Sequence, residues 1–155
     1  MSAATSDQQL LERMRIREVL EDYLGSLDDK DYDAIANCFT EDAVSHYNNE
    51  PHELKGGKGV AEWLHRMAAY NATIHALGNA RIKVDGDKAV AHSIVTATLH
   101  AGDEGFGRVQ VRTIDYVDQL VKVNGEWKIA NRMHKPTMQY DAPSQSMVLY
   151  KGKAK

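Results

Sequence analysis

Two dipeptides in the second half of the chain, Asp85-Gly86 and Asn124-Gly125, limit its possible folds more than any other feature. Each favours a two-residue hairpin between antiparallel strands. Around them run four strand-like segments, Thr73–Val84, Lys88–His100, Arg108–Val123 and Glu126–Tyr140, the middle two joined by Gly102–Gly107. Strands this long outside a closed barrel must bend, and the concave side of the bend needs apolar cover. The first strand holds a conflict of parity. His75 alternates with Leu77, Asn79 and Arg81, whereas Ala80, Ile82 and Val84 fall on the opposite face. A bulge near Gly78 would bring His75 and Ile82 to one side, and one is predicted there.

The first half has helical spacing instead. Ser6-Asp7-Gln8-Gln9 reads as a capping box. Leu10, Met14, Ile16, Leu20, Tyr23, Leu24 and Leu27 then recur with the helical period, and Gly25-Ser26 is expected to loosen the last turn. Asp31 can cap a shorter helix holding Ile35, Cys38 and Phe39. A brief strand is expected at about 43–47, and a third helix after Gly56-Gly57-Lys58-Gly59, with Val60, Trp63, Leu64 and Met67. Three N-terminal helices packed in a strongly curved antiparallel sheet make an α+β cone with a pocket between the layers.

Bulk properties narrow the partners. A chain of 155 residues fits one domain, and 43% hydrophobic content is enough for a core. The expected division is a disordered stretch 1–7, a domain 8–140 and a tail 141–155 that turns at Pro143 and carries an apolar Met147–Tyr150 patch. A net charge of −3 with interspersed signs argues against nucleic acid. No window has the length of apolar sequence a membrane span needs, and the N-terminus lacks a signal-peptide pattern, so a cytoplasmic protein is expected. Cys38 stands alone and reads as a buried, inert thiol. Val109, Val111 and Val117 on the sheet suggest a homodimer or higher homo-oligomer.

Chemistry is suggested by Asp28. It continues the apolar row Ile16, Leu20 and Leu24 in steps of four, so its carboxylate either meets water at the helix end or turns inward. If inward, it needs a donor, because an unpaired buried charge costs several kcal/mol. His75 is a plausible partner. An Asp–His pair fixes the imidazole tautomer and raises the basicity of the free nitrogen, which could then take a proton from carbon. The plainer alternative is a solvated helix-end acid beside Asp29 and Asp31, with His75 isolated.

Other residues admit two readings as well. Tyr23 lies about 140° from Asp28 around a helix, and either packs in the core or donates to a substrate oxygen. Tyr116 and Asp118 alternate with Ile114 and Leu120. Arg132 could neutralise Asp118 across the strands or bind a developing oxyanion. Trp63 and Met67, one turn apart, suit a core or a pocket wall. Tyr47 and His134 complete the expected substrate-binding set. His92 and His100 lie roughly 26 Å apart along an extended strand and cannot share an ion. With no metal-ligand motif, neither a metal nor a cofactor is expected, and the glycine run at 56–59 lacks the ending of a phosphate loop.

The run Ile16–Tyr23, continuing through Asp28-Asp-Lys-Asp-Tyr-Asp-Ala-Ile-Ala-Asn-Cys-Phe39 to Ala43-Val44, resembles the opening of SnoaL-like proteins of the nuclear transport factor 2-like superfamily. Gly57-Lys-Gly59 before Trp63, Ile74-His75 before Gly78-Asn79, and the closing Tyr116, Asp118, Leu120, Asn124-Gly125, Trp127, Ile129 and Arg132 agree in order and spacing. The likeness covers roughly residues 8 to 140. It is closest to the branch of scytalone dehydratase, bile-acid 7α-dehydratase and the dehydrochlorinases. It implies a helix-end aspartate and strand histidine as acid–base dyad, matching Asp28 and His75, with Tyr23 as the preceding tyrosine. A cofactor-free lyase or isomerase acting on a small hydrophobic ring compound is therefore expected. The superfamily also contains binding modules and β subunits of ring-hydroxylating dioxygenases, which stay as alternatives.

Overall fold

Ser6 starts the ordered helix by accepting a hydrogen bond from the Gln9 backbone N–H at 3.2 Å. The computed structural model describes residues 6–48, 50–102 and 107–144. Of the stretch 1–7 expected to be disordered, residues 1–5 lie outside the described residues, as does the Met147–Tyr150 patch, while Ser6 caps the helix and Asp7 opens it. Helix α1 (Asp7–Asp29) runs through Gly25-Ser26 without loosening. It stops where Lys30 adopts φ 57° and Asp31 N–H reaches back to Ser26 O at 2.9 Å. Ile16, Leu20, Tyr23, Leu24 and Leu27 are buried, as their spacing predicts, but Leu10 and Met14 are more than half exposed. Leu10 and Met14 stand two residues out of step with the buried row Glu12, Ile16 and Leu20, on the side of the helix away from the sheet.

Asp31 caps α2 (Tyr32–Asn37) by accepting from Ala34 N–H at 3.1 Å. Strand β1 (Phe39–Tyr47) begins earlier than its apolar run suggests, and a two-residue strand β2 (Leu54–Lys55) follows. Helix α3 (Gly56–Leu64) opens at the glycines rather than after them. Gly56 has φ 64°, and a Cβ on Gly57 would lie 2.0 Å from Ala36 O, so these glycines let α3 seat against the end of α2. A 3-10 turn (His65–Ala69) leads into β3 (Ala72–Asp85), β4 (Lys88–Ala101), β5 (Gly107–Val123) and β6 (Glu126–Ser144).

The six strands form one curved sheet in the order β2-β1-β6-β5-β4-β3. Pairing is antiparallel except between β1 and β6, which run parallel with Val44 opposite Asn131 and Tyr47 opposite His134. The bulge expected near Gly78 is present: register slips by one residue between Leu77 and Ala80, and His75, Ile82 and Val84 share the covered side. Asn124 and Gly125 both take positive φ, the geometry of a tight hairpin. Pro143 does not turn the chain; it lies within β6, opposite Arg108. Small residues on β4, Ala89, Ala91, Ser93 and Ala97, are buried on the concave face, where bulkier ones would hold the helices off. Glu12 of α1 accepts from the Trp127 indole at 2.7 Å and pairs with Lys122 at 2.9 Å, which pins the helix across the sheet. No helix among the described residues is long and apolar enough to cross a membrane.

Candidate active site

The capped end of α1 and the start of β3 bring Asp28 to His75. Asp28 Oδ2 accepts the His75 backbone N–H at 2.8 Å, and Oδ1 lies 2.6 Å from His75 Nδ1. An ionised carboxylate only accepts, so Nδ1 carries the proton and Nε2 keeps its lone pair. The His75 side chain is 4% exposed and that of Asp28 24%, so the acid closes the ring in from behind. A second imidazole–carboxylate contact shows the contrast. His92 meets Asp115 through Nε2 at 2.5 Å while Arg81 lies 2.9 Å from its Nδ1, so both nitrogens are taken.

His75 faces a cavity of about 310 Å³. Tyr23, Tyr47, Trp63, Met67, Tyr116 and His134 line it with His75, so seven residues expected at a site from sequence are brought together. Their rings form one packed assembly. The Tyr23 and Tyr47 hydroxyls lie 3.0 Å apart, so one donates to the other and the acceptor keeps its own O–H. His134 stacks on Tyr47 at 4.8 Å and meets the edge of Tyr116 at 5.0 Å, while Trp63 leans on Tyr47 at 4.9 Å.

These groups are neutral donors. Burial pushes the Tyr23, Tyr47 and Tyr116 hydroxyls well above the ordinary phenol range. Burial, with the charge of Arg132, depresses His134 to about 3. Asn48 N–H donates to His134 Nδ1 at 3.4 Å, which leaves the proton of the neutral ring on Nε2. Cys38 is pushed up to about 11 by burial and donates to Ala34 O, in keeping with an inert thiol.

Asp118 and Arg132 are placed differently from the expectation that they touch substrate. They are absent from the cavity lining and form a buried two-pronged ion pair behind the wall. The Arg132 guanidinium lies 4.1 Å from the Tyr23 ring centre and 4.5 Å from that of Tyr116. The third guanidinium nitrogen, Nη1, is buried without a hydrogen-bond partner, and the faces of the tyrosine rings cover the cation instead. Arg66, Tyr70 and Arg112 line the cavity without having been singled out from sequence. For Arg112 a signal existed, since it alternates with Ile114 and Tyr116 on β5.

A sequence model of the SnoaL-like domain matches residues 8–133. An uncharacterised protein of Mycobacterium tuberculosis is 28% identical over 131 residues, covering 81% of this chain and 85% of that protein. Among solved structures, a candidate scytalone dehydratase from Novosphingobium aromaticivorans superposes with a TM-score of 0.79 at 25% identity, over 97% of this chain and all of that one (100%). The hexachlorocyclohexane dehydrochlorinase LinA type 3 from Novosphingobium barchaimii gives a TM-score of 0.73 at 20% identity, over 94% and 98% of the two chains, a likeness of fold. The chain belongs to the SnoaL-like domain family, within the nuclear transport factor 2-like superfamily.

Proposed function

We propose that this protein is a cofactor-free lyase of the dehydratase type, eliminating water or halide from a small, hydrophobic, ring-containing molecule. The observation that carries this reading is the double grip of Asp28 on His75, which leaves one basic nitrogen facing a half-open cavity walled by aromatic and aliphatic side chains with a few polar groups. His75 Nε2 takes a proton from a carbon next to a carbonyl. The C–H electron pair becomes the new double bond as the bond to oxygen or halogen breaks, and the leaving group departs with that bond's electrons. A leaving hydroxide recovers the proton from His75 and departs as water; a halide leaves as the anion, and His75 returns its proton to solvent. Asp28 stabilises the transient imidazolium. The Tyr23–Tyr47 pair, Tyr116 and the Nε2–H of His134 are the donors for a developing oxyanion, a role that needs preorganised neutral groups such as these. An isomerase would use the same first step and return the proton to another carbon.

A binding module on the same cone would have no use for an oriented imidazole, and the 2.6 Å contact favours the enzyme. The β-subunit alternative would show itself by co-purification with a larger iron-containing chain; in the reading preferred here the protein is cytoplasmic and pairs with its own copy. The test is a screen of hydroxylated and halogenated ring compounds, followed by ultraviolet-visible product formation. His75→Ala is expected to abolish turnover with the circular dichroism spectrum unchanged. Turnover equal to wild type in that variant ends the proposal.

A further inference from the structure

The permanently charged side chains on the wall of the cavity are of one sign. Arg66 and Arg112 line it beside the imidazoles of His75 and His134, and no aspartate or glutamate does among the described residues. The two arginines differ in what they already hold. Arg66 lies over the Trp63 ring at 3.8 Å and pairs with Glu50 at 3.1 Å. Arg112 gives its Nε–H to the neutral amide oxygen of Gln139 at 2.6 Å, and no described carboxylate stands within ion-pair distance of it. The nearby acid of that strand, Asp141, is engaged by Gln139 at 3.3 Å and Arg108 at 3.8 Å.

Register fixes where this cation stands relative to the base. His75 is opposite Ala97 on β4, and Ala97 is opposite Arg112 on β5. Paired residues share a face, so base and guanidinium lie in one row across the concave side, two strand spacings or about 10 Å apart at the backbone. Ala97 puts a single methyl between them, leaving the floor of the cavity open along that row. A molecule lying there meets the imidazole at one end and an uncommitted planar cation at the other.

We propose that the substrate is an acid, a ring-bearing molecule whose carboxylate docks on Arg112 while the carbon that loses its proton sits at His75 Nε2. The inference rests on the elimination reading above and adds the charge on the substrate. A guanidinium offers paired N–H donors in the geometry of a carboxylate, and a half-covered cavity mouth weakens such a contact less than bulk water does. Arg112 thus selects the substrate and sets which ring carbon reaches the base.

The experiment is calorimetric titration of the full chain with 2-naphthoate and with the matched neutral 2-naphthamide. The acid is expected to bind about tenfold more tightly, the effect of one charged hydrogen-bonded contact. Arg112→Gln removes that preference, Arg112→Lys keeps part of it, and His75→Ala keeps it whole. Equal affinity for acid and amide, absent binding of the acid, or a preference that survives Arg112→Gln overturns the proposal. The readout is binding without turnover, so its failure is separate from failure of the elimination reading. A naphthoate result that fails beside His75-dependent turnover removes the anion dock alone.

Discussion

The carboxylate of Asp118 receives two parallel hydrogen bonds from Arg132, at 2.7 and 2.8 Å, with the two side chains 0% and 2% exposed. Neither charge has water to fall back on. Asp118→Ala should therefore destabilise the fold by about 3–5 kcal/mol, because it strands a buried guanidinium. The double replacement Asp118→Leu with Arg132→Met should cost less than the single change. Urea unfolding of the three proteins measures both.

Asp28 does two jobs with its two oxygens. Asp28→Asn keeps an acceptor for the His75 backbone but no longer dictates the ring tautomer, so turnover should fall about 10²–10⁴-fold. The ¹⁵N spectrum of His75 should show both tautomers in this variant and one in the wild type. Asp28→Ala also orphans the backbone N–H and should lose about 1–3 kcal/mol of stability.

His134 sets a pH dependence. Its folded pKa of about 3 lies below the ordinary unfolded value near 6.5, so between these limits the unfolded chain holds a proton the folded chain refuses. Stability from this group is complete above about pH 6.5 and is lost as the pH falls toward 3. From pH 7 to 5 the loss should be on the order of 2 kcal/mol. His134→Asn should flatten that part of the curve, as read by thermal unfolding at each pH.

Two glycines should respond oppositely to the same change. Gly57→Ala drives a methyl to 2.0 Å from Ala36 O, a clash with backbone that cannot swing aside, and should cost about 1–3 kcal/mol or more. Gly25→Ala meets nothing within 4 Å inside α1 and should stabilise by about 0.5–1 kcal/mol. Paired melting temperatures decide.

The sheet was readable because its determinants are local. Asn124-Gly125 marks its own turn, and the parity break between His75 and Ile82 announces its own bulge. The parallel pairing of β1 with β6 was not readable, since Phe39 meets Ile129 from the far end of the chain and leaves no spacing to see. Periodicity likewise grouped Leu10 and Met14 with the apolar row, although they stand about 200° around the helix from Glu12 and Ile16 and so face water. At the site, alternation brought out Tyr116 and Asp118 equally, though one lines the cavity and the other lies behind it. That difference is one of depth. Arg112 shares the same alternation, but a strand arginine ordinarily points to water, so alternation alone does not mark it.

The slipped register in β3 has a consequence for how this site can change. Over the stretch where Gly78 and Asn79 face Ile94, the strand is one residue longer than its neighbour, and the surplus must be absorbed as bending. Removing Asn79 would restore an unbroken ladder and a straighter hairpin, improving the scaffold's hydrogen bonding while carrying the imidazole along a flatter path past the tip of the first helix. Sturdiness and chemistry are thus set against each other at a single peptide unit, and a lineage that mended the irregularity would keep its architecture and forfeit its base.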